Sequence, residues 1–192
     1  MRVYFAALIT FAAATTQAQV ILSDPFSGTG GDLLDRGFYV ATYPGSSLGA
    51  VTVAYLASTA GSYTTSMTAR LGAYDGPIIG AMQTETETIN ALGGTEVLVS
   101  YNFGGVSVAP GSLVTFAQTV VSGPGAVYYD VGTVFPGPEG LTETDGTTPP
   151  LDTFRRDGVG VIITEVPEPA TLSLLGGCLA GLLAFGSRRS RA

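Results

Sequence analysis

The sequence has no histidine, lysine or tryptophan, and its single cysteine, Cys178, lies near the C-terminus. These absences exclude a Ser-His-Asp triad, a Cys-His pair, a lysine Schiff base and a phosphate-binding P-loop. A zinc site with His or Cys ligands is excluded from the body of the chain for the same reason. Charged residues make up only 12% of the 192 residues, whereas glycine occurs 27 times and proline 11 times. This composition favours short elements joined by many turns over long helices.

The N-terminus has the three parts of a secretory signal peptide. Arg2 provides the positive start, Val3–Ala14 is an apolar and small-residue run, and Thr16 and Ala18 place small residues at the −3 and −1 positions of a cleavage site. The run is too short to cross a bilayer as a helix. Residues 1–18 are therefore predicted to be removed by cleavage after Ala18, so that the mature chain begins at Gln19.

The C-terminus, residues 166–192, has a second and more specific pattern. The short motif 166–169 contains Pro167, Glu168 and Pro169, and it is followed by an uncharged segment at 170–186. Seventeen residues form a helix of about 25 Å, close to the bilayer core of about 30 Å, so this segment is predicted to be a single transmembrane helix. The basic end at 187–192, with Arg188, Arg189 and Arg191, orients that helix with the C-terminus in the cytoplasm and the body outside.

This order of motif, apolar helix and basic end resembles the PEP-CTERM sorting signal of Gram-negative bacteria. The resemblance implies that an exosortase-type membrane enzyme recognises Pro167, Glu168 and Pro169 at the inner membrane and cleaves near them. The protein would then pass to the cell surface or the extracellular polysaccharide matrix. The alternative for these residues is a plain C-terminal anchor that is never cut.

Between these ends lie residues 19–165, in which the hydrophobic pattern repeats every two residues. Tyr63–Leu71, Glu96–Phe103 and Gly158–Thr164 alternate apolar and polar side chains, as half-buried strands do. Further predicted strands are Gln19–Ser23, Gly37–Tyr43, Ala50–Ala57, Pro77–Gln83, Leu113–Val121 and Ala126–Phe135. Eight or nine short strands separated by Pro-Gly, Asp-Gly and Gly-Gly turns predict an all-β, antiparallel, jelly-roll-like β-sandwich. The one possible helix is a short one at Thr84–Leu92.

The body is strongly acidic, with fourteen acidic residues against four arginines between positions 19 and 165. A surface of this charge repels nucleic acid and anionic membranes, so no nucleic-acid partner is expected. Two segments, Asp24–Arg36 and Gly137–Pro150, are predicted to be loops. No cofactor is expected, with Ca²⁺ as the alternative, because carboxylates in these loops suit its preference for oxygen ligands. The candidate ligands are Asp24, Asp32 and Asp35 in the first loop and Glu139, Glu143 and Asp145 in the second.

A second resemblance concerns the body itself. Val127–Gly132, Thr148–Leu151 and Phe154–Gly160 resemble small exported bacterial β-domains of the "choice-of-anchor" type. This resemblance implies an all-β body and assigns it no molecular function.

Two functions are therefore compatible with the sequence. The first is a non-enzymatic structural or binding protein of the exopolysaccharide or biofilm layer. The second is an enzyme that cleaves extracellular polysaccharide with two carboxylates. Its candidate acids are Asp130, Glu139, Glu143, Asp145, Asp152 and Asp157. Tyrosines such as Tyr128 and Tyr129 could stack on sugar rings, although packing in the core is the simpler role.

Overall fold

The structure is a computed structural model that describes residues 18–33, 37–132, 140–144 and 158–166. Within these ranges, the side chains of residues 28–33, 131, 142–144 and 158 are not part of the description. Ala18–Val166 form one compact unit. The predicted signal peptide, sorting motif, transmembrane helix and basic end lie outside the described residues. No helix among the described residues is long and apolar enough to cross a membrane.

All the regular elements of the described ranges are β-strands. In chain order they are β1 (Gln19–Asp24), β2 (Phe26–Leu33), β3 (Gly37–Val40), β4 (Ser47–Ala57), β5 (Gly61–Leu71), β6 (Ile78–Ile89), β7 (Val97–Ser107), β8 (Val114–Ser122), β9 (Val127–Gly132), β10 (Thr142–Thr144), β11 (Gly158–Val159) and β12 (Val161–Glu165).

The strands form two antiparallel sheets. In the seven-stranded sheet the order is β1-β12-β4-β9-β11, with β7 paired to β4 and β2 paired to β9. In the five-stranded sheet the order is β10-β3-β8-β5-β6. The prediction of an all-β body with antiparallel pairing is confirmed. β4 is the centre of the larger sheet, because it pairs with β7 along one edge and with both β12 and β9 along the other.

The core is a single cluster to which both sheets contribute. Phe103 of β7 meets Phe116 of β8 edge-on, with ring centroids 6.4 Å apart, and Phe116 in turn stacks on Phe38 of β3. Because β7 belongs to one sheet and β8 to the other, these rings join the two layers. Burying such aromatic side chains is the main source of stability in a body that has no cysteine to form disulfides.

The predicted alternation is confirmed for most positions of the strands that carry it, although Ser66 is buried and Leu71 is 43% exposed. Tyr63, Met67 and Ala69 of β5 are buried. Leu98, which interrupts the apolar alternation of β7, is 56% exposed and lies on the outer face, while Val99 on the inner face is buried. The period of two, rather than the identity of each residue, therefore decides which side chain faces the core.

Four segments differ from the prediction. The predicted single strand Gly158–Thr164 is two strands, β11 and β12, which have different partners. The possible helix at Thr84–Leu92 is wrong, because β6 extends through Ile89 and its alternating threonines pair with β5, Thr86 opposite Thr64. β-branched threonine favours this pleated surface over a helix. The predicted loop Asp24–Arg36 contains β2, a glycine-rich strand that pairs irregularly with β9. The second predicted loop contains the short strand β10, which pairs with β3.

Candidate functional site

The two ends of the body leave the seven-stranded sheet at the same corner. β1 and β12 run antiparallel, and Gln19 pairs with Glu165. Ala18, the residue before the predicted cleavage point, is exposed. The segment that precedes the signal-peptide cleavage point and the segment that leads into the C-terminal motif therefore start side by side.

The last three described residues, Thr164–Val166, are called the exit segment. Hydrogen bonds connect this segment to the start of β4. The Ser46 backbone N–H donates a hydrogen bond to Glu165 Oε2 at 3.0 Å, and Ser47 Oγ donates to the Val166 carbonyl oxygen at 2.8 Å. The Ala50 N–H donates to Thr164 Oγ1 at 2.9 Å. Side-chain groups thus extend the contact beyond the end of the β4–β12 pairing, which the backbone makes only at Val161–Ile163.

Glycines give the exit segment the room that it occupies. A Cβ atom on Gly49 would come within 2.9 Å of the Thr164 carbonyl oxygen, and one on Gly105 would come within 3.1 Å of Val166 Cβ. Gly105 also has a φ of +79°, which disfavours any other residue. Tyr43 lies nearby and donates a hydrogen bond to the Ser47 carbonyl oxygen at 2.8 Å. Burial, and after it the Glu165 carboxylate, raises the pKa of Tyr43 above its ordinary value.

The opposite end of the β1–β12 pair contains two buried carboxylates, those of Asp24 and Asp130, which are 0% and 1% exposed. The Asp130 carboxylate accepts hydrogen bonds from both the backbone N–H and the Oγ of Ser27. Gly132 and Gly160 make space for these acids, since a Cβ atom at either position would overlap a neighbouring side chain. Asp130 therefore binds the start of β2 to β9 within the sheet.

Glu96, immediately before β7, belongs to the same acidic environment. Burial raises the pKa of Glu96, and the charge of Asp130 and a hydrogen bond with it raise that pKa further. Two carboxyl groups that share a hydrogen bond favour the protonated form of one of them. Burial and the neighbouring Asp130 carboxylate thus both disfavour the charged form of Glu96.

The predicted calcium ligands are not brought together by any described geometry. Asp24 is buried in the larger sheet, whereas Glu143 lies on β10 of the smaller sheet. Asp32 lies on β2 without a described side chain, and Asp35, Glu139 and Asp145 lie outside the described residues. Among the residues that the structure describes, no group of three or more His, Cys, Asp and Glu side chains could hold a metal ion. A calcium site remains a prediction from the sequence.

Of the acids predicted for a carboxylate-based enzyme, only Asp130 has a described side chain. Its contact with Ser27 binds two strands of the body together. Asp152 and Asp157 lie outside the described residues, so no carboxylate separation can be measured.

The tyrosines lie mainly in the core. Tyr129 is buried while Tyr128 is half-buried on the opposite side of β9, as predicted for neighbours on a strand. In the middle of the body the hydroxyls of Tyr55 and Tyr101 lie 2.9 Å apart, and Tyr55 donates to Gln118 Oε1 at 2.6 Å. Burial raises the pKa of both hydroxyls. Because Gln118 belongs to the other sheet, this polar network joins the two layers.

The sequence interpretation missed the residues that hold the exit segment and the burial of Asp24 and Asp130. Local signals exist for both. Gly45-Ser46-Ser47 precedes a strongly apolar strand, and Asp130-Val131-Gly132 places an acid beside a glycine inside a strand. Neither signal identifies the distant partner, because Ser47 and Val166 are 119 residues apart in the chain.

With this geometry established, comparison with known proteins confirms the class of the C-terminal segment. The PEP-CTERM protein-sorting motif matches residues 165–190. The match begins at Glu165, the last residue of β12, and it includes the predicted Pro167, Glu168 and Pro169. The motif implies recognition by an exosortase-type processing enzyme and export through membrane-associated sorting to the cell surface.

The chain has a distant likeness to a solved structure. A chain from "Structure of infectious bursal disease virus Gx strain" is 14% identical, with a TM-score of 0.26. The likeness covers 78% of the present chain and spans 36% of the length of the viral one. No curated protein matches the sequence.

Proposed function

We propose that this chain is an exported, non-enzymatic protein of the cell surface or extracellular matrix, cleaved within its C-terminal signal by an exosortase-type enzyme. The observation that carries the proposal is the sorting motif at 165–190, which starts where the last strand of the body ends. The body, residues 19–165, is proposed to be a jelly-roll-like sandwich with a structural or binding role in the exopolysaccharide layer. Its strands pass repeatedly between the two sheets, which supports that architecture.

The route of export is part of the proposal. Cleavage after Ala18 would free Gln19, the first residue of β1, and would leave the whole of that strand in the mature protein. The helix at 170–186 would hold the chain transiently in the inner membrane, with Arg188, Arg189 and Arg191 in the cytoplasm. The pairing of Gln19 with Glu165 supports this route, because both membrane-directed segments leave the body at one corner.

The contacts of the described polar groups support a non-enzymatic body. Asp130 binds Ser27, and the Tyr55 hydroxyl binds Tyr101 and Gln118, so these groups connect strands and sheets. Buried polar groups satisfied in this way rigidify a core. Catalytic carboxylates of a glycosidase would instead flank a substrate cleft.

Replacing Pro167, Glu168 and Pro169 together by alanine tests the sorting proposal. Membrane insertion depends on residues 170–186 and the arginines, so the variant should still insert. Processing should fail, and full-length protein should accumulate at the inner membrane. Cell fractionation and immunoblotting with an antibody against the body measure both results.

The matched variant replaces Arg188, Arg189 and Arg191 by glutamine and leaves the motif intact. It weakens the orientation signal, so part of the protein should pass through the membrane uncut. If the triple-alanine variant is trimmed and released like the unchanged protein, the motif is not a sorting signal and the tail is a simple anchor.

A further inference from the structure

The sorting motif follows the folded body with no spacer. Val166 is fastened to Ser47, and the first motif proline, Pro167, is the next residue. An enzyme that recognises Pro167, Glu168 and Pro169 therefore approaches the corner of the sheet from which these residues emerge. The role inferred below for the start of β4 rests on the proposed processing by such an enzyme.

Strand β12 is a poor substrate for any protease while it stays in the sheet. It pairs with β1 on one side, from Gln19 opposite Glu165 to Asp24 opposite Val161, and with β4 on the other side. Drawing this strand into an extended active-site groove would break both sets of backbone hydrogen bonds and expose Val161 and Ile163, which are fully buried. Cleavage within β12 thus requires local unfolding of the sheet.

The exit segment extends this protection by three polar contacts and two close-fitting glycines. The hydrogen bonds of Ser46, Ser47 and Ala50 hold Glu165, Val166 and Thr164 respectively, at 2.8 to 3.0 Å. These contacts lie beyond the β4–β12 backbone pairing, which ends at Val51 opposite Ile163.

We propose that the surface formed by Gly45–Ala50 and Gly105 is a holding site for the exit segment, and that it fixes the point of tail removal. In this proposal the bond that breaks is a peptide C–N bond on the C-terminal side of Val166. Water supplies the hydroxyl that the carbonyl carbon gains, and the departing amine takes the proton. The mature chain would run from Gln19 to Val166 or beyond, and the same surface would face the processing enzyme.

Mass spectrometry of the exported protein gives the direct test. Trypsin cleaves after Arg156, so the C-terminal peptide begins at Asp157 and its mass identifies the last residue. The full chain is co-expressed with an exosortase-type enzyme, and the expected peptide ends at Val166 or later. If most peptides from the unchanged protein ended before Val166, the proposal would be overturned.

A pair of matched variants tests the holding site itself. Ser47→Ala with Gly105→Ala removes one hydrogen bond and places a methyl group against Val166. The control is Ser100→Ala with Gly104→Ala. It removes the exposed hydrogen bond between Thr52 and Ser100. It also places a side chain on a second glycine of positive φ, +71°, where the added Cβ atom meets nothing within 4 Å. Chains ending before Val166 should increase about tenfold, equivalent to about 1.4 kcal/mol, in the first variant only. If the two variants gave the same fraction of chains ending before Val166, the holding role would be overturned.

Hydrogen exchange on the full-length protein in detergent separates this inference from the proposed function. Residues 161–166 should exchange as slowly as β4, and about tenfold faster in the Ser47→Ala, Gly105→Ala variant than in its control. If no tail is removed from any variant, the sorting proposal fails, and the exchange rates still decide whether the exit segment is held. Fast exchange of residues 161–166 in the unchanged protein would refute the holding site.

Discussion

The exit segment and the buried interior of the body both depend on polar contacts, but they use them at different depths. At the exit, Ser46 is exposed and Glu165 and Val166 are half-buried, so water competes for the hydrogen bond between Ser46 and Glu165, although Ser47 is itself buried. In the interior, Asp130 and the Tyr55 hydroxyl are almost completely removed from water. A bond that water can replace contributes little to stability, whereas a buried group that loses its partner is costly. The interior contacts should therefore govern stability, and the exit contacts should govern processing.

The largest expected effect on stability comes from Asp130→Ala, which removes an interior contact. The substitution leaves the Ser27 N–H and hydroxyl without their acceptor, and we expect it to lower the free energy of unfolding by about 3 kcal/mol. Urea denaturation followed by circular dichroism measures the change. Asp75→Ala, in the exposed turn between β5 and β6, serves as the control and should change stability by less than about 0.5 kcal/mol. Equal stabilities of the two variants would show that Asp130 is not a structural link.

A smaller loss is expected from Tyr55→Phe. The variant keeps the ring but removes the hydroxyl that joins Tyr101 to Gln118, which should cost about 1–2 kcal/mol. Tyr128→Phe, on the half-buried face of β9, is the control. Burial raises the pKa of Tyr55 and Tyr101 above the ordinary tyrosine value of 10.0. Above that pH the unfolded chain therefore ionises these two hydroxyls, whereas the folded state keeps them neutral.

The sign of the pH effect follows from that difference. The stabilisation is fully present below pH 10 and is lost as the pH rises further, because only the unfolded state gains from ionisation. Tyr55→Phe should flatten this alkaline decrease in urea-denaturation midpoints between pH 9 and 11. An unchanged alkaline slope in the first variant would contradict the assignment.

The smallest effect is expected for Glu96→Gln, and it is a gain in stability at pH 7 instead of a loss. Burial and Asp130 raise the pKa of Glu96, so its contribution is most favourable below its ordinary value of 4.5 and is lost as the pH rises through the raised pKa. The neutral amide should therefore raise the melting temperature at pH 7, and the gain should vanish near pH 4. Calorimetry at the two pH values measures the difference. A destabilised variant at pH 7 would show that the ionised Glu96 is favourable.

The sequence predicted the strands far better than it predicted their partners. Alternation in Tyr63–Leu71 and Glu96–Phe103 identifies both the strand and its buried face, because the side-chain period is local. Thr84–Leu92 and the glycine-rich β2 were missed, since pairing with β5 and β9 supplies the hydrogen bonds that stabilise them. Propensity yields to such tertiary pairing.

The same difference separates the two parts of the candidate site. The order of motif, apolar segment and arginines is contiguous in the chain, so the sorting signal was predictable and the family match confirms it. The residues that hold Val166 come from 119 positions earlier. Buried Asp24 was predicted as a loop ligand, because an acid at the end of a strand resembles a surface acid until its neighbours are known.

The position of β12 between two neighbours also determines how the body responds to force. A force applied to Glu165 along the axis of β12 would be perpendicular to the backbone hydrogen bonds of its antiparallel pairs. Because β12 pairs with β1 on one side and with β4 on the other, such a force would load both sets of hydrogen bonds at once. Resistance to forced unfolding is governed by the rate of crossing the unfolding barrier. A load in this direction would therefore have to break the contacts of β12 with both neighbours before the strand left the sheet.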